Sequence, residues 1–144
     1  MNDKADKAAK ISYSDIKEGD VYMFKKKISK RDVMNFAKLS GDFNPLHVNP
    51  DFGKRSQFKN NIVHGMLAGS FFSTLIGMYC PGENSLYISQ TLNFRQPLYY
   101  EDTVTVRGTV ISKNDSIKMI TLKTEIIKGD NVVIYGESKV KVLE

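Results

Sequence analysis

The chain has 144 residues, 41% of them hydrophobic, and a net charge of +5. That length fits one domain, and such a domain buries roughly 68–70% of its unfolded surface, which excludes disorder for the bulk of the chain. The single cysteine, Cys80, excludes an intramolecular disulfide and points to a reducing cytoplasm.

Residues 1–10 are polar and lysine-rich, without the apolar core of a secretory signal, and are expected to form a disordered leader. Residues 11–144 then make up the domain. Residues 21–28 begin as a strand and end in lysines, which suits an edge or an exposed end. The local cluster Lys25, Lys26, Lys27, Lys30 and Arg31 reads as a solvated face or an anion-binding patch. It lacks the interleaved aromatics of a nucleic-acid surface, so no nucleic-acid partner is expected.

Ser29 is placed to cap a helix, with Asp32 three residues on as its acidic partner. Val33, Phe36, Ala37 and Leu39 follow at helical spacing. Gly41 is the expected stop. Residues 42–50 read as a turn-rich loop, residues 49–56 as a second short helix and residues 58–62 as a polar connector. Residues 63–78 are apolar around most of a helical circumference, so a buried helix is expected. Gly69, Ser70, Ser73, Thr74 and Gly77 interrupt this apolar stretch, which is too short and too polar to span a bilayer. The protein is therefore expected to be soluble, with no membrane partner.

Beyond Asn84 the period changes to two. Leu86, Ile88, Leu92 and Phe94 alternate with Tyr87, Ser89, Thr91 and Asn93. Residues 103–112, 117–128 and 131–142 follow, separated by turn signals at Asn114-Asp115 and Gly129-Asp130. Four successive antiparallel strands of about ten residues and one buried helix predict a two-layer α+β domain, with a curved sheet wrapped around the helix.

The densest chemistry lies in Leu39-Ser40-Gly41-Asp42-Phe43-Asn44-Pro45-Leu46-His47. Residues five apart on a straight helix sit about 140° out of register. The Asn44-Pro45 turn can instead bring Asp42 and His47 to one spot, where a carboxylate and an imidazole can run acid–base chemistry near neutral pH. The same residues also fit a plain helix-ending turn. Neither a Ser or Cys nucleophile nor a metal is expected, since the chain has two histidines and no ligand cluster at metal-binding spacing. Gly65 opens the buried helix, where a free backbone N–H can meet a developing oxyanion; it also suits a helix that simply starts close to the sheet. His64 reads more simply as a packed or capping side chain. Ser70 and Ser73 fit bonds back into their own helix. Arg95 is placed to reach a phosphate or to remain solvated.

Phe36-x-x-Leu39-Ser40-Gly41-Asp42-x-Asn44-Pro45-Leu46-His47 resembles the signature of the MaoC-like (R)-specific enoyl-CoA hydratases, the hydratase 2 group. Ile62-Val63-His64-Gly65-Met66-Leu67 is similar to that family's second motif. Residues 85–94, Pro97 and Glu101-Asp102-Thr103-Val104 are similar to its third region. The resemblance covers residues 12–143. One position departs from it: Gly53 stands where the family usually has Ala or Ser, which weakens a short helix by about 0.5–1 kcal/mol relative to Ala.

The resemblance implies a hot-dog fold, a long central helix wrapped by an antiparallel sheet. It implies that Asp42 and His47 are the catalytic pair and that the Gly65 N–H is the oxyanion donor. Asn44, Ser73, Leu67 and Phe71 would contact substrate. It further implies an acyl-CoA substrate and a homodimer or higher homo-oligomer, with sheets joined edge to edge. No cofactor is implied, because coenzyme A is part of the substrate. The reaction would be reversible syn hydration of a trans-2-enoyl-CoA to the (R)-3-hydroxyacyl-CoA. An acyl-CoA thioesterase of the same fold and a non-catalytic acyl-binding or dimerisation module are the rival readings.

Overall fold

The computed structural model describes residues 7–144. Of the expected leader, residues 1–6 lie outside the described residues. Ala9 and Lys10 are already tied to the body. Ala9 N–H donates to Met78 O at 2.9 Å, Ala9 O accepts from Glu83 N at 2.8 Å, and Lys10 pairs with Gly82.

Among the described residues, strand β1 (Val21–Lys27) pairs only with β4 and forms one edge of the sheet. Its lysines are what an unpaired edge carries to discourage further pairing. Helix α1 (Lys30–Ser40) begins with the expected capping box. Asp32 N–H donates to Ser29 Oγ at 3.1 Å, and the Asp32 carboxylate accepts from Ser29 N at 2.9 Å. The helix stops at Gly41, whose φ of 82° is the left-handed conformation that glycine adopts without a Cβ penalty.

The expected 42–50 loop contains a helical turn, α2 (Pro45–Val48). Asn44 Oδ1 accepts from Leu46 N at 3.0 Å, and Pro45 sits at the first helical position, where its missing N–H costs nothing. Helix α3 (Pro50–Arg55) follows directly. Gly53 within it is fixed by space rather than by helix propensity. A Cβ there would lie 2.7 Å from both Asn61 N and Asn61 Nδ2.

The expected central helix is present as a helical rod in three parts: α4 (Gly65–Gly69), α5 (Phe71–Thr74) and a π-helical turn over Leu75–Tyr79. The break falls at Ser70, whose hydroxyl donates to Leu67 O at 2.6 Å and whose backbone keeps a helical φ and ψ. The rod is not buried all round. Leu67, Ala68, Phe72 and Leu75 face the sheet, whereas Met66, Ser70, Ser73 and Thr74 are exposed along the opposite side. Apolar composition alone could not reveal that the small residues form a separate stripe.

Strands β2 (Ser85–Gln90), β3 (Asn93–Phe94), β4 (Thr103–Asn114), β5 (Met119–Lys128) and β6 (Asn131–Val142) complete a six-stranded antiparallel sheet. Its order is β1-β4-β5-β6-β2, with β3 also paired to β6. The expected single strand over 85–94 is therefore two. Between them Thr91 O sits so close to Gly136 that any Cβ on that glycine would collide with it. Leu86 and Ile88 point away from the core, 48% and 50% exposed, while Tyr87 turns inward.

Two apolar clusters hold rod and sheet together. One packs Phe72, Leu67 and Leu75 against Val104, Val106, Ile126 and Ile134. The other gathers Ile16, Ile76 and Val110 with Ile120, Leu122 and Val140. Gly108 on β4 permits the approach, since a Cβ there would lie 2.7 Å from Leu75 Cδ2.

Candidate active site

Three local structures place Asp42, His47 and His64 side by side. The Gly41 turn ends α1 and releases Asp42. Its Oδ1 accepts from Asn44 N at 3.1 Å, an Asx turn that sets the entry to α2. Helix α2 then carries His47. His64 precedes α4, after Val63 N–H has been anchored to Leu98 O at 2.7 Å. One side-chain atom from each of Asp42, His47 and His64 lies within 4.8 Å of the other two.

Hydrogen bonds define which nitrogens are available. His47 Nδ1 is 2.8 Å from Ile62 O. A carbonyl only accepts, so Nδ1 carries the hydrogen and, in the neutral ring, Nε2 holds the free lone pair. His64 Nε2 is 3.0 Å from Asp42 O and donates to it for the same reason. Among the described residues, that leaves His64 Nδ1 buried without a partner. The two imidazoles are stacked, with centroids 4.0 Å apart and planes 28° apart. The fold thus brings together three side chains that showed no metal-binding spacing along the chain. Phe36 packs edge-on against His64 at 4.9 Å.

His64 is only 2% exposed. Burial lowers its pKa below the ordinary 6.5, and the neighbouring His47 adds to that effect; the bond to Asp42 O and the Asp42 charge oppose it. His64 is thus a neutral ring that fixes the Asp42 backbone and supports the face of His47. This is more specific than the packing or capping role expected for it. Although it occupies the N-cap position, its side chain makes no capping bond.

A cavity of about 460 Å³ opens beside this cluster. His47, His64 and Gly65 share its wall with Phe94, Arg95 and Leu98. Among the described residues, no hydrogen-bond acceptor engages the Gly65 N–H. The Phe94 ring covers Gly65 so closely that a Cβ would lie 2.7 Å from a ring carbon. Arg95 stands 5.9 Å from the Tyr135 ring.

The other expected contacts are distributed differently. Asn44 caps α2 through its side chain. Leu67 and Phe71 are buried core residues, and Ser73 lies on the exposed side of the rod; none of the three borders the cavity. Ala68, Phe94 and Ile134 are the apolar groups that do. Sequence reasoning missed the part played by Tyr100, whose hydroxyl donates to His47 O, and by Asn61 in the supposed connector. Neither carried a signal in one sequence, because both act on backbone atoms distant along the chain.

Comparison with known proteins identifies the family. The family model described as "MaoC like domain" matches residues 15–132. An (R)-specific enoyl-CoA hydratase of Rhodospirillum rubrum is 41% identical over 90% of this chain and 90% of its own length. A 3-hydroxybutyryl-CoA dehydratase of Methylorubrum extorquens is 38% identical over 92% of this chain and 84% of its own length. The solved (R)-hydratase of Aeromonas caviae superimposes with a TM-score of 0.86 at 38% identity, covering 88% of this chain and 97% of that one. With its hot-dog architecture and a match spanning most of its length, the chain belongs to the MaoC-like family.

Proposed function

We propose that this protein is an (R)-specific enoyl-CoA hydratase, adding water reversibly to trans-2-enoyl-CoA and removing it from (R)-3-hydroxyacyl-CoA. The observation that carries the proposal is His47, whose Nε2 is left free by the Nδ1–Ile62 bond, which has a ring nitrogen within 4.8 Å of an Asp42 carboxylate oxygen and which borders the same cavity as Gly65. The names of the hydratase and dehydratase relatives support it.

In the proposed reaction, the thioester oxygen accepts from the Gly65 N–H, which polarises the conjugated alkene. A water between Asp42 and His47 gives its proton to the cluster, His47 Nε2 being the available base. The hydroxide adds at C3, and charge moves to the thioester oxygen. The enolate then takes a proton at C2 from the same cluster and the same face. The net change is one water added syn, so no redox partner or separate cofactor is required; coenzyme A belongs to the substrate. Arg95 at the cavity wall is the basic group best placed for a coenzyme A phosphate.

We further propose that the chain acts as a homodimer joined through the β2/β3 edge. That edge exposes Leu86, Ile88 and Phe94, whereas β1 at the opposite edge carries three lysines. No helix among the described residues is long and apolar enough to cross a membrane. The buried free thiol of Cys80 suits a reducing cytoplasm.

The deciding experiment follows loss of enoyl absorbance with crotonyl-, hexenoyl- and decenoyl-CoA, with chiral analysis of the product. Formation of the (R)-alcohol is expected. Release of free thiol without hydration would assign the site to thioester hydrolysis instead.

A further inference from the structure

Asn61 lies in a segment with neither helix nor strand, yet it is only 4% exposed. Its Nδ2 is 2.9 Å from Leu46 O, 2.8 Å from Asn49 O and 3.3 Å from Pro45 O. Two amide hydrogens thus make two short bonds and one longer contact. These carbonyls belong to α2 and its exit. Pro45 O and Asn49 O already accept from Asn49 N and Gly53 N, so the carboxamide adds a second bond to each, whereas Leu46 O is held by Asn61 and Ile62.

The next residue grips the same turn twice. Ile62 N–H donates to Leu46 O at 3.3 Å, and Ile62 O accepts from His47 Nδ1 at 2.8 Å. Asn61 and Ile62 therefore hold both the backbone under His47 and the imidazole itself. Gly53 forms the wall behind Asn61. A Cβ at Gly53 would lie 2.7 Å from Asn61 N and Nδ2 and 2.9 Å from Asn60 C, so even one methyl group would push the segment away.

We infer that Asn61, seated against Gly53, is a positioning residue that sets where His47 Nε2 points in the cavity. Its catalytic consequence rests on the hydratase reading. The structural core of the inference does not, because the state of the His47 ring can be read without substrate.

Two measurements on the full-length protein test it: steady-state hydration of crotonyl-CoA, and ¹⁵N NMR of the imidazoles. The chain has only two histidines, which keeps the spectrum readable. Asn61→Ala should lower kcat about 10- to 100-fold, the scale expected when a reacting group moves by about 1 Å. KM should change by less than about threefold, since the wall that holds the acyl chain is untouched. The His47 signals should shift from a single Nδ1–H tautomer toward an average of two.

Gly53→Ala should have the same effect from the other side. The double variant should be no worse than the poorer single one, because both loosen one contact. Should Asn61→Ala fail to fold, Asn61→Ser, which keeps one donor, and Gly53→Ala carry the same measurements. Wild-type kcat with an unchanged His47 tautomer in Asn61→Ala or Gly53→Ala would overturn the inference. So would a loss of activity that disappears when the assay is run well below each variant's melting temperature. If the wild-type protein hydrates no enoyl-CoA, the functional reading fails, while the imidazole spectra still decide the clamp.

Discussion

Asp42, His47 and His64 divide their tasks by what each can donate or accept. His47 keeps one nitrogen free because the other is committed to Ile62 O. Asp42 stays half exposed beside it. General acid–base help of this kind is worth about 10²- to 10⁴-fold. Asp42→Asn and His47→Gln are each expected to reduce crotonyl-CoA hydration by about that factor, while circular dichroism and the melting temperature stay close to wild type. For His64 the expected effect is on stability. Its folded pKa lies below the ordinary 6.5, so the unfolded chain binds this proton more readily than the folded one. The contribution is fully present above about pH 6.5 and declines as pH falls below that value toward the lowered folded pKa. Melting temperatures measured from pH 8 down to pH 5 should fall at the acidic end, and His64→Gln should flatten that slope.

At the scale of elements, the site depends on short pieces locked by neighbours. Helix α2 has four residues and would not persist alone in water. It is held by its Asn44 cap, by Tyr100 on His47 O and by the Asn61 carboxamide. The rod from Gly65 to Tyr79 is placed by the sheet, and Gly108 sets how near it lies. Gly108→Ala would put a methyl group 2.7 Å from Leu75 Cδ2. Overpacking of this kind costs about 1–3 kcal/mol. Urea unfolding of Gly108→Ala should show a lower midpoint with an unchanged slope.

For the whole molecule, the two sheet edges differ in kind. The β1 edge has Lys25, Lys26 and Lys27, whereas the β2/β3 edge offers Leu86, Ile88 and Phe94 to solvent. An apolar edge strand is an invitation to pair. In sedimentation at micromolar concentration, wild type is expected as a dimer, and Ile88→Lys should shift it toward monomer. A monomeric wild type would remove the edge-to-edge proposal. The Ser29 cap, the Gly41 stop, the period-two strands and the Asp42-to-His47 motif could all be read along the chain, because each is set by residues a few positions apart. They were enough for an α+β class and for marking Asp42 and His47 as candidates, while the roles of Asp42, His47 and Gly65 came from the resemblance to the MaoC-like family. Only tertiary contacts decided that Leu86 and Ile88 face outward, that Ser73 lies away from the cavity, and that His64, Asn61 and Tyr100 bond to the backbone between Asp42 and His47. Those outcomes come from sheet edges and hydrogen bonds between residues 15 to 53 positions apart. Such pairings leave no periodicity in a single sequence, since a buried amide or imidazole is matched to its partner by the fold rather than by its neighbours in the chain.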